Sequence, residues 1–184
     1  MKLSVRLGAL FLLLPVISAC EYAPLLPWYW KRYEHPTYRF SLKVPRNWQV
    51  ELSGAMQAAA VFLAPEEDRL FRANLNVVVQ PKPPKLDLKG EAMISLQQLR
   101  LLMSEYELLS DAPTRLGSFE AYEIRGKYRG AEGYRVLRTI LALSDDAEYV
   151  VTFTCREERE TAFQEVVKKI LASFQAPRSL SARS

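Results

Sequence analysis

Tyr38-Arg39-Phe40-Ser41-Leu42-Lys43-Val44-Pro45-Arg46-Asn47-Trp48 is the stretch that decides how this chain folds. From residue 37 to 44 the apolar side chains fall at every second place, the period of a strand with one buried face. Pro45 has no N–H to give a ladder and breaks the strand. An inward Phe40 and Val44, with Trp48 folded back on them, make an apolar plug for one end of a sheet.

Working outward, residues 49–53, 58–64 and 73–80 read as further strands, with a loop at Pro65-Glu66-Glu67-Asp68. Leu75, Val77 and Val79 alternate with Asn74, Asn76 and Val78, so one side of that strand is buried. Gln80-Pro81-Lys82-Pro83-Pro84-Lys85 is a crossover, because three prolines fit neither a helix nor an inner strand. Asp87 then offers a helix cap, and Ala92, Leu96, Leu99, Met103 and Tyr106 draw one apolar stripe at helical spacing. Residues 107–110, 120–128, 133–143 and 148–155 form an antiparallel meander joined by short polar turns. In 133–143 both alternating sets are apolar, as in a sheet covered on two faces. A last helix starts near Arg156, where Thr154 and Glu157 suit a capping box, and places Phe163, Val166, Val167, Ile170, Leu171 and Phe174 on one side. The fold class is α+β, a single domain with an antiparallel sheet flanked by helices. The domain is expected over residues 35–176, with a frayed polar tail at 177–184.

The opening strand ending in Pro45-Arg46-Asn47-Trp48 resembles that of the PsbP-like family, the superfamily that includes PsbP and the envelope lipoprotein DcrB. Asn74-Leu75-Asn76-Val77-Val78-Val79 and Gly117-Ser118-Phe119-Glu120-Ala121-Tyr122-Glu123 extend the likeness. So does Tyr149-Val150-Val151-Thr152-Phe153-Thr154 before a helix ending in Ser173-Phe174. It spans about residues 33–175, carried by the order of the motifs. The resemblance implies an α/β/α sandwich that works by docking rather than by catalysis. PsbP proteins bind the lumenal face of photosystem II and help retain its calcium and chloride. No residue here matches their ion- or photosystem-binding positions, so none is carried over.

The 184 residues, 49% hydrophobic and 25% charged with 7 Gly and 11 Pro, suit one globular domain and exclude a disordered or collagen-like chain. Two Cys make neither a disulfide scaffold nor a four-Cys zinc site. The N-terminus is an address. Lys2 and Arg6 precede an apolar run from Leu7 to Ile17, and Ile17-Ser18-Ala19-Cys20 resembles a bacterial lipobox. The run is too short for a spanning helix, which needs about 20 residues. Residues 1–19 are therefore expected to be a signal peptide and Cys20 the lipidated first residue, with diacylglycerol and an amide-linked acyl chain such as palmitate. The membrane lipid reached through Cys20 is the first partner. Glu21 stands where an inner-membrane retention signal would place Asp, which favours the periplasmic face of an outer membrane where the cell has one. Removing 1–19 takes away Lys2 and Arg6 but no acid, so the formal charge falls from +4 to +2.

Residues 20–34 form a tether with Tyr22, Trp28, Tyr29 and Trp30 in place of the usual polar spacer. Two readings stand: an interfacial anchor, with Lys31 and Arg32 facing anionic lipid, or an arm docked on the domain. Arg125, Lys127 and Arg129, with Arg135 and Arg138 across the next turn, form a candidate basic patch able to meet anionic lipid, a wall polymer or an acidic partner. The plainer reading is a solvated strand face whose field Glu120, Glu123 and Glu132 dilute. The candidate interaction residues are thus Trp28, Trp30, Arg125, Lys127, Arg129, Arg135 and Arg138.

Catalysis finds little support in the residues. The sole histidine, His35, sits in a turn before Pro36, and Cys155 reads as a small buried side chain. There is no G-x-S-x-G, phosphate loop or H-E-x-x-H. Glu66-Glu67-Asp68 and Asp145-Asp146 lack the spacing of a calcium loop. No metal, no cofactor beyond the lipid and no nucleic-acid partner is expected. The sequence thus describes a membrane-anchored envelope lipoprotein that binds or stabilises an envelope protein. The alternative is a lipoprotein that binds, or even hydrolyses, a small molecule or wall fragment.

Overall fold

Alternation from Phe40 to Val44 needs a partner ladder, and the computed structural model, which describes residues 29–52, 58–65, 71–84 and 87–180, shows where it lies. β1 (Trp30–Glu34) and β2 (Ser41–Pro45) form an antiparallel ribbon that pairs Trp30 with Pro45 and Glu34 with Ser41. Trp30–Glu34, part of the stretch read as a tether, therefore belongs to the fold. Residues 37–40 are not strand: they turn, with Arg39 at φ 54°, and His35 N–H closes the turn on Phe40 O at 2.8 Å.

The main sheet has seven antiparallel strands. These are β3 (Gln49–Glu51), β4 (Ala60–Leu63), β5 (Asn74–Pro81), β6 (Glu107–Leu116), β7 (Phe119–Gly130), β8 (Gly133–Leu143) and β9 (Ala147–Arg156), in spatial order β3-β4-β5-β9-β8-β7-β6. The crossover after β5 passes through α1 (Leu88–Leu102), which packs over β7 and β8, and delivers the chain to β6 at the far edge. Asp87 does cap α1, its Oδ1 accepting from Gly90 N–H at 2.7 Å. β6 runs ten residues rather than four and holds Pro113, which an edge strand tolerates because one row of its backbone groups needs no partner.

A 3₁₀ turn at Glu157–Arg159 leads into α2 (Glu160–Ala172). The expected capping box does not form: Thr154 still belongs to β9, and neither helical start has a side-chain cap. One sheet face carries α2 and the β1–β2 ribbon over a large core that includes Phe40, Phe62, Phe153 and Phe174; the other carries α1 over Tyr122, Ile124 and Leu141. Trp48 is buried as the plug, stacking at 6.5 Å on Phe153 and edge-on at 6.3 Å to Phe163 of α2.

The tail is tied down as far as the structure describes it. Ser179 Oγ–H and Leu180 N–H donate to Asp146 at 2.7 and 2.9 Å, and Asp145 N–H donates to Arg178 O. Gln175 bridges to Ser41. An acid in the β8–β9 turn thus holds a segment that composition alone marks as loose.

Candidate interaction site

The pleat sorts the cations of the β7–β8 hairpin. Arg125, Lys127 and Arg129 alternate on β7, and the register sets Arg125 opposite Arg138, Lys127 opposite Val136 and Arg129 opposite Tyr134. These four cations share the α2 face. Arg135 pairs with Tyr128 and so projects from the α1 face. Two separate settings result.

Each of the four hairpin cations on the α2 face has a partner. Arg125 reaches Glu160 of α2 with two bonds, Nε to Oε1 at 2.6 Å and NH2 to Oε2 at 2.5 Å. Arg138 does the same with Glu123, at 2.8 and 3.0 Å. Lys127 lies 3.3 Å from Glu107 and 3.6 Å from Glu157. Arg129 sits over the Tyr134 ring at 5.1 Å. The Glu160 bond raises the Arg125 pKa, and Glu107 raises that of Lys127, so both remain cations throughout the ordinary pH range. Two like charges directly opposite on a ladder repel, and the two carboxylates between sheet and helix offset that repulsion.

These pairs line a depression of about 390 Å³ between the sheet and α2, floored by Glu123, Arg125, Arg138 and Phe153 and walled by Glu160 and Gln164. A second, more open hollow of about 660 Å³ shares Glu123, Arg138 and Gln164 and runs to Thr114 on β6. Together they form a groove beside α2, which covers only part of this face.

Under α1, a cavity of about 400 Å³ lies between Leu99, Leu102 and Met103 and a sheet floor of Asn74, Asn76, Thr139, Thr152 and Thr154. Arg135 stands at its side with its guanidinium 4.0 Å from the Phe71 ring centre. Asn76 Oδ1 is buried there without a hydrogen-bond partner.

The tether residues divide. Cys20 and Trp28 lie outside the described residues. Trp30 packs half-buried against the main core, with Lys169 Nζ 5.9 Å from its ring. Lys31 Nζ donates to Trp48 O at 2.7 Å, and Arg32 NH2 donates to Ser41 Oγ and Gln175 Oε1. Of the two readings, docking on the domain describes residues 30–32.

The reactive residue types are occupied structurally. His35 Nδ1 accepts from the Thr37 and Tyr38 N–H groups, each at 3.1 Å, which leaves Nε2 to donate to Ala59 O at 3.1 Å. Burial lowers its pKa, so the ring is neutral with the proton on Nε2. Cys155 is buried, and desolvation, followed by the Glu160 and Glu158 charges, pushes its thiol up to about 12, where no thiolate forms at neutral pH. Among the described residues no group of three His, Cys, Asp or Glu is placed to hold a metal ion. Glu66, Glu67 and Asp68 lie outside them.

No protein family and no curated protein sequence matches this chain. Solved structures do. LpqN of Mycobacterium tuberculosis, described as involved in cell envelope biogenesis, superposes with a TM-score of 0.61 at 16% identity, covering 80% of this chain and 91% of its own. The cyanobacterial PsbP of Synechocystis gives 0.59 at 15% identity, covering 80% and 92%. The chain has the PsbP-like fold. The Ran-binding protein Mog1p of Saccharomyces cerevisiae shares it too, with a TM-score of 0.57 at 12% identity over 80% and 95%. On this PsbP-like frame the groove beside α2 and the cavity under α1 are concave sites with charged or polar groups converging on them.

The sequence shows the cations, and Glu123 as a charge that dilutes their field, but not which groups pair: Glu123 meets Arg138 only through the β7–β8 register. Glu160 comes from a helix 35 residues away, and nothing local points to it.

Proposed function

We propose that this protein is a non-catalytic envelope lipoprotein, held to a membrane through Cys20, that docks on another envelope protein with the groove beside α2. The observation that carries the docking reading is the pair of two-bond ion pairs, Arg125 with Glu160 and Arg138 with Glu123. They fix charged groups from three elements in one rigid surface, and preorganised side chains lose little freedom on binding. The envelope role named for LpqN supports the setting, as does the lipobox. No helix among the described residues is long and apolar enough to cross a membrane. The lipid on Cys20 is the proposed attachment. The Glu21 position favours the periplasmic face of the outer membrane.

Site-resolved photocrosslinking in living cells tests this. A photoreactive side chain at Gln164 or Thr114 is expected to yield the same protein adduct, while one at Glu51, exposed on the far edge strand, yields none. Equal labelling from all three positions would refute a groove-specific partner. The second reading, a small-molecule or wall-fragment binder, is favoured by the cavity under α1 and the unpartnered Asn76 Oδ1. It predicts a ligand that Asn76→Ala weakens and Glu123→Gln does not.

A further inference from the structure

The end of α1 is apolar where solvent would call for polar residues. Its last turn reads Leu99-Arg100-Leu101-Leu102-Met103, and Leu101 and Leu102 are 85% and 78% exposed. Leu99 and Met103 face the cavity and Leu102 reaches its rim while staying exposed, whereas Leu101 does not line it and is not needed for that packing.

Their position in the fold gives them meaning. Arg129 N–H donates to Ser104 O at 2.8 Å, and Tyr134 Oη–H donates to Glu105 Oε2 at 2.7 Å, which places the end of α1 beside the β7–β8 hairpin. Through the ladder, Arg135 pairs with Arg156, Thr154 with Asn74, Asn74 with Leu63, and Leu63 with Gln49 next to Trp48. Arg46 N–H in turn donates to Tyr29 O at 2.8 Å. The chain thus enters the domain at the same end of the sheet that carries Leu101 and Leu102. The opposite end holds the β8–β9 turn, where Lys82 N–H meets Asp146 O.

Only nine residues lead from Cys20 to Tyr29, a reach of at most about 30 Å. An anchored Cys20 therefore keeps the hairpin end near the membrane. We propose that the end of α1 seats on the lipid surface, with Leu101 and Leu102 inserted at the headgroup boundary, so that the domain stands with its sheet end on the membrane rather than swinging on its tether. This rests on the lipid-anchor reading. The exposed Arg100 and Arg129 are matched by Glu105 and Glu132, so the contact is apolar first, and it persists on vesicles without anionic lipid.

The test uses the mature lipidated protein on vesicles of phosphatidylethanolamine and phosphatidylglycerol, or of phosphatidylcholine alone. An environment-sensitive fluorophore is attached at Leu101→Cys or at Lys82→Cys, since Cys20 is acylated and Cys155 is buried. The label at 101 is expected to shift to the blue and to be quenched by shallow spin-labelled lipid on both vesicle types, while the label at 82 reports water. Leu101→Asp, at the more exposed leucine and read with the label moved to Leu102→Cys, reduces the inserted population on the order of tenfold. A label at 101 as wet as that at 82, on protein that carries lipid and floats with the vesicles, overturns the proposal alone. Protein that carries no lipid and does not float overturns the anchor and the proposal together.

Discussion

Replacing Arg138 and Glu123 with Met, singly and together, asks whether the hairpin cations are internal struts or a free basic surface. The two side chains are 21% and 19% exposed and joined by bonds of 2.8 and 3.0 Å. Exposed pairs contribute about 0–1 kcal/mol and breaking a fully buried one costs about 3–5 kcal/mol, so a four-fifths-buried, two-bond pair belongs between them. Loss of one partner leaves a half-desolvated charge. Arg138→Met or Glu123→Met alone should therefore destabilise by about 2–3 kcal/mol. Loss of Glu123 also leaves Arg138 facing Arg125 with one carboxylate fewer, which places it at the upper end. The double variant should cost about 2 kcal/mol less than the sum of the singles, because neither charge is then stranded. Urea unfolding followed by far-UV circular dichroism measures all four proteins. A coupling below about 0.5 kcal/mol would mean that the pair behaves as an exposed one, and the preorganised groove would have no basis.

Two other perturbations probe the frame. Burial, partly offset by the Gln80 hydrogen bond and reinforced by the Glu91 charge, raises the pKa of Glu148, and Glu91 Oε2 and Glu148 Oε1 are both buried without partners. The folded state thus holds protons that the unfolded chain releases above its ordinary value of 4.5, and stability falls as pH rises from there through the folded-state pKa. Glu148→Gln should raise the melting temperature at pH 7 and lose that advantage below pH 4.5; a variant less stable at neutral pH would contradict this. Gly117, at φ 57°, has no room for a side chain, since a Cβ would fall 1.9 Å from Phe174 O. Gly117→Ala should cost roughly 3 kcal/mol or more in thermal unfolding, and a loss under about 1 kcal/mol would show that the β6–β7 turn and the end of α2 are not so closely joined.

How much of this was legible in sequence followed the range of the interactions. Strands β5, β7, β8 and β9 and the cap at Asp87 rest on local alternation and local hydrogen bonding. β1 did not announce itself, because Trp30–Glu34 is held by pairing with β2 and by side-chain bonds to Trp48, Ser41 and Gln175 rather than by its own periodicity. Pro113 hid the length of β6, since only the edge position makes that proline acceptable. The five hairpin cations were visible as charges, yet strand register decides which face each occupies, and α2 decides what Arg125 meets. The Asn and Thr floor under α1 was legible residue by residue, but its closure by Leu99 and Leu102 depends on how the helix packs.

The most direct measurement is the intact mass of the mature protein recovered from the membrane fraction. A chain that begins at Cys20 and carries a diacylglyceryl thioether with an acylated amine is expected, together with loss of membrane retention in Cys20→Ser. A soluble protein with an unmodified thiol at position 20, or one cleaved elsewhere and unaffected by Cys20→Ser, would contradict a lipid-anchored envelope role.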